Sequence, residues 1–68
     1  MKTNEEIVNK LRELMFEEYK EITRCRDLKK DCQKRGQAEA ALDMLNSEKT
    51  HSAIYESLAK ILKFASND

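Results

Sequence analysis

Four side chains in the sequence could do chemistry: Cys25, Cys32, His51 and Glu18. Cys25 and Cys32 stand seven residues apart. On a helix that places them on one face with Cα atoms about 10 Å apart. A disulfide spans at most about 7 Å, so the two cannot bridge each other while the helix persists. Six intervening residues are also too many for a structural zinc pair, which uses two to four. Both cysteines therefore read as small apolar residues of a packed seam, with an intermolecular disulfide as the other use. His51 is the only histidine. It falls near Glu18, one layer from Cys25, if the chain folds back on itself. A Cys–His or Glu–His pair supports nucleophilic or acid–base chemistry only where a pocket excludes water and holds a substrate. Nothing in the spacing supplies such a pocket or convergent oxyanion donors. The expectation is a half-buried polar layer that fixes register, in a non-enzyme without metal, cofactor or small-molecule substrate.

The elements that place these residues follow from one glycine. Gly36 is the only Gly in a chain of 68 residues without Pro, and it suits a helix C-terminal cap because it tolerates positive φ. Before it, Val8, Leu11, Met15, Glu18, Ile22, Cys25, Lys29 and Cys32 step by three and four along one helical face. After it, Ala40, Met44, Ser47, His51, Ile54, Leu58, Ile61 and Ala65 do the same. The predicted fold is all-α: an antiparallel two-helix hairpin with helices over about 4–34 and 37–65 and the turn at Gly36. It forms one domain over residues 1–68, completed to a four-helix bundle by a second copy or a partner helix. Thr3 with Glu6 fits a capping box at the first helix. In this register Cys25 meets Ser47, Ile22 meets His51, Glu18 meets Ile54 and Leu11 meets Ile61. Arg26 falls beside Glu48, Tyr19 beside Tyr55, and Ile7 beside Phe64 on the opposite flank. Glu18 and Lys29 interrupt the apolar seam, tolerated with wet ends or matched to an opposite charge on a partner. Asn46-Ser47-Glu48-Lys49-Thr50 has low helix propensity, so the alternative is a three-helix fold broken near 46–49.

Composition narrows the function classes. Thirteen basic and thirteen acidic residues cancel, so no global field steers the chain to nucleic acid or anionic lipid. No apolar run approaches a membrane span, and Met1–Glu6 lacks a signal peptide's apolar stretch. Two cysteines in so polar a chain point to a reducing cytoplasm. Charge is uneven, however. Residues 24–35 hold six basic and two acidic side chains. Arg24, Arg26, Lys30, Lys34 and Arg35 thus form a basic hairpin tip, and the alternative function is a nucleic-acid accessory protein touching phosphates there. No aromatic residues interleave with the tip, which favours a solvated helix end.

The surplus apolar residues are the most informative feature. Ile7, Leu14 and Leu28 form a second row beside the first seam, and Phe16, Leu42 and Leu45 point away from it. With Tyr19, Tyr55 and Phe64 they make the candidate partner-binding set, since several such residues along one side suggest an interface. The expected function is a small protein–protein interaction module, of adaptor, inhibitor or chaperone type. It would bind a partner helix or a second copy of itself through these rows. The layout of Leu28-Lys29-Lys30-Asp31 leading into a Gly turn and a second amphipathic helix resembles the small co-chaperones of type III secretion needle subunits. It also resembles short hairpin proteins of bacteriophages and Gram-positive bacteria. Those resemblances imply shape only, the first adding as an alternative a co-chaperone of a secretion-needle type subunit by that analogy, and they carry over no functional residue.

Overall fold

A computed structural model describes residues 4–66 of the chain. Two long helices pack against each other: α1, Asn4–Lys34, and α2, Ala38–Ser66. They form a rod of 51 × 15 × 14 Å. Its length matches 31 residues at ~1.5 Å rise. Acidic Glu5 and Glu6 sit in the first turn of α1 and Lys34 in its last, the arrangement the helix dipole favours. The capping residue expected at Thr3 lies outside the described residues.

Only residues 35–37 connect the two helices. Gly36 takes φ = 73°. Its N–H donates to the Gln33 carbonyl at 3.1 Å, and the Gln37 N–H donates to the Cys32 carbonyl at 2.9 Å. These are the two crossed bonds of a Schellman cap, which satisfy carbonyls that the helix end leaves orphaned. The Gln37 carbonyl in turn accepts from the Ala41 N–H at 3.0 Å, so Gln37 also starts α2. The second helix therefore begins at Ala38 rather than Gln37.

The α1 seam is as the spacing predicts. Leu11, Ile22 and Cys25 are buried, and Val8, Met15, Glu18, Lys29 and Cys32 are half-buried. The α2 seam needs a correction. Met44, His51, Leu58 and Ala65 face α1, but alternate layers use Ala41, Glu48, Tyr55 and Leu62, one residue beyond the expected Ala40, Ser47, Ile54 and Ile61. Ile54 and Ile61 are 40% and 51% exposed. The physical reason lies in antiparallel geometry. Along α1 the seam steps by three and then four from Val8; the facing helix must run the complementary steps so that every layer has one constant register. With the corrected residues all eight layers have facing numbers that sum to 73. The expected set alternated between 72 and 73, which a straight antiparallel pair does not do. Cys25 thus faces Glu48 rather than Ser47, and Glu18 faces Tyr55. Leu45, expected to point away, is half-buried beside the seam.

No third helix forms among the described residues; α2 runs unbroken through 46–49. Glu48 is pinned to α1 by two cations, which holds this stretch helical despite its propensity; the Thr50 hydroxyl is turned back onto the Asn46 carbonyl at 3.0 Å. Tertiary contacts override the weak local preference.

Candidate interaction surface

The charged residues and the histidine of the seam are matched across the hairpin. Glu48 Oε2 accepts from Arg26 Nε at 2.9 Å, and its Oε1 accepts from Lys29 Nζ at 3.2 Å. The Glu48 side chain is 14% exposed. The hydrogen bond from Arg26 holds the Glu48 carboxyl below its ordinary range; partial burial opposes this, and Lys29 adds to it. The same bond raises the Arg26 guanidinium above its already high value. Lys29 thus finds its opposite charge within its own chain, so it needs none from a partner. One turn further from the tip, His51 Nδ1 donates to Glu18 Oε2, both half-buried. Among the described residues no three His, Cys, Asp or Glu side chains converge as a metal site. Both cysteines are unbridged, Cys25 buried and Cys32 half-buried. The Glu18–His51 pair is a polar layer spanned by a hydrogen bond; its neighbour Cys25 lies buried in the seam rather than at the mouth of a cleft.

The basic tip is partly spent on internal pairing. Arg24 Nη1 bonds Glu21 Oε1 at 2.7 Å, and Arg26 is held by Glu48. Lys30, Lys34 and Arg35 remain exposed on the last turns of α1.

The apolar candidates separate onto two sides of the rod. On one side Tyr19 and Tyr55 line the same shallow grooves, about 270 and 280 Å³ in volume. Arg12, Phe16 and Leu62 border the first, and Arg26 and Ser52 the second. Phe16 is 60% exposed, with Lys20 Nζ 5.0 Å from its ring centre, a cation–π contact. Leu42 and Leu45 belong to this side nearer the turn, around Lys29 and Gln33.

The opposite side carries an aliphatic row, interrupted on α1 by Glu21, which pairs with Arg24. Ile7, Leu14 and Leu28 each stand one residue before a seam position of α1. Ile54 and Ile61 stand one residue before Tyr55 and Leu62 of α2. In an antiparallel pair these two flanks lie on the same side. All five side chains are exposed. Phe64, 75% exposed, stands near the open end of the same side. The rotation of α2 that overturns the expected seam is what adds Ile54 and Ile61 to this row. The sequence reading missed both because it had placed them inside. The constant sum of facing residue numbers was the signal that would have found them.

Compared with known protein families, with curated proteins and with solved structures, the chain shows no significant match to any. No helix among the described residues is long and apolar enough to cross a membrane.

Proposed function

We propose that this hairpin is a non-enzymatic protein–protein interaction module that works by helix packing through its aliphatic side. The observation that carries the reading is the balance of burial. Only Leu11, Ile22, Cys25 and Ala41 are buried among the described residues, and none is fully buried, while Ile7, Leu14, Leu28, Ile54 and Ile61 stand exposed along one side. Burying an aliphatic side chain stabilises by ~1.5–3 kcal/mol relative to leaving it in water. A two-helix layer alone leaves most of that gain unused, and chains of this size ordinarily need a further source of stability. An amphipathic helix laid between the α1 and α2 rows would cover all five residues, the mode in which helices dock into apolar grooves.

The test is the pair Leu14→Glu and Leu28→Glu, made together. The expected result is loss of assembly, either to a monomer or, because the lone hairpin lacks the partner's contribution to stability, with loss of helix content by circular dichroism. Native mass spectra that show the same complexes for variant and wild type would overturn the reading.

A further inference from the structure

Resting on that reading, we infer that the occupant of the aliphatic side is a second copy of this chain, packed face to face in the inverted orientation. Three observations carry it.

The first is area. The chain exposes 5471 Å², whereas a compact monomer of 8.0 kDa exposes about 4,500 Å². The excess of about 1,000 Å² is close to the ~800 Å² that each partner contributes to a standard stable interface. One more hairpin of equal length presents a face of the size needed to cover it.

The second is symmetry of charge. The half of the rod nearer the turn, residues 20–53, holds eight basic and six acidic side chains. The half nearer the open end, residues 4–19 and 54–66, holds four basic and six acidic. Counted over all faces of the rod the halves are therefore +2 and −2, a long-range dipole that favours approach with one copy turned end for end. Two copies aligned in the same direction would set basic tip against basic tip. Complementary potentials of this kind fix orientation more than they add affinity.

The third is the placement of the row. On α1 it runs from Ile7 to Leu28, with its midpoint between residues 17 and 18, while α1 itself is centred on residue 19. Two inverted copies centred on this row overlap along almost their whole length. Ile7 of each then falls against Leu28 of the other, and Leu14 against the aliphatic stem of Glu21, which holds the row position between Leu14 and Leu28 and whose carboxylate is paired with Arg24. The result is a four-helix bundle with α1 antiparallel to α1 across the two-fold axis, an isologous interface of the commonest oligomeric type.

Analytical ultracentrifugation of the full chain from about 1 µM to 1 mM tests this, together with Leu14→Glu combined with Ile61→Glu and with the milder Leu14→Ser. The expected result is a wild-type dimer weakened by added salt. Leu14→Ser should weaken it at least about tenfold, and the double variant should be monomeric across the range. Because Leu14→Ser removes no seam residue, it reads the interface even where the double variant does not fold. A wild type that dimerises equally with Leu14→Ser and with the double variant overturns the proposal by moving the contact to another side. A monomer throughout the range overturns it too. In that case an apolar dye that binds wild type and not Leu14→Ser leaves the partner-helix reading standing, and a dye that binds neither removes both. Orientation is read from dipolar coupling between spin labels on Lys34→Cys in a Cys25→Ala, Cys32→Ala background. Inverted copies place the labels at opposite ends of the dimer, beyond about 40 Å; a short distance overturns the inverted packing.

Discussion

Replacing Gly36 isolates what the turn contributes, because two effects that usually mix are separate here. Gly36 has φ = 73°, and a Cβ built on it meets nothing within 4 Å. Substitution by Ala therefore adds no steric clash and changes only backbone preference. An L-residue with a Cβ pays roughly 1–2 kcal/mol in the left-handed region. Stiffening the unfolded chain opposes that strain by roughly 0.4–1 kcal/mol, so Gly36→Ala should cost about 1 kcal/mol net. For a domain of this size that is a fall in Tm of roughly 4–8 °C. Asn visits the left-handed region more readily than Ala, so Gly36→Asn should lose less than Gly36→Ala. Gly36→Pro should lose far more, because it fixes φ near −65° and removes the N–H that Gly36 donates to Gln33. Thermal melts by circular dichroism at one protein concentration give the ranking. Ala melting at or above wild type, or Asn melting no higher than Ala, would refute the claim that a positive-φ cap holds the hairpin closed.

Acid should act through Glu48. Its carboxyl is held below its ordinary value in the folded chain by Arg26 first and Lys29 after it. The stability it contributes is therefore present above the unfolded value, near 4.5, and is lost as pH falls through the folded one. Melts from pH 6 to pH 3 should show wild type losing more stability than Glu48→Gln; equal slopes would mean that the Arg26–Glu48–Lys29 cluster is not formed in solution. In the seam, Ile22→Ala should destabilise by about 2–3 kcal/mol, the lower part of the range for core truncations because Ile22 keeps 7% exposure. Urea titration checks this, and a loss under 1 kcal/mol would mean that α1 and α2 do not pack at this layer. For register, Glu48→Cys should oxidise onto Cys25 faster than Ser47→Cys does, each in a Cys32→Ser background. The reverse order would restore the seam that the spacing alone suggested.

The parts of the fold that were legible in the sequence are those governed by local chemistry. A lone Gly after six basic residues and an unbroken three-and-four spacing placed α1 and the turn to within a residue. The Arg26–Glu48 pair and the nearness of His51 to Glu18 followed from the same folding-back. The phase of α2 was not legible from residue type. Ala40 and Ala41, or Ile61 and Leu62, are equal candidates for a seam, and Ile54 is by hydrophobicity a better one than Tyr55. What decides between them is the geometry of two facing helices, which is a property of the pair. The candidate surface inherited that error: the Ile7, Leu14 and Leu28 row was found, but its other half on α2 was hidden in the supposed interior.

Gln37 closes α1 and opens α2 at once, and this has a consequence for how the chain can vary. Loops are ordinarily where proteins accept inserted or deleted residues most easily. Here there is no slack to absorb one. A single residue added between Gly36 and Ala38 would swing α2 by about 100° about its axis. Glu48 would be carried away from Arg26 and Lys29, and Ile54 and Ile61 would leave the side they share with Leu14. Substitutions can tune the outward face one residue at a time, but the length of this connection sets which face is outward at all. Among lineages that keep the same surface, insertions and deletions should gather at the open end of the rod and spare residues 35–38.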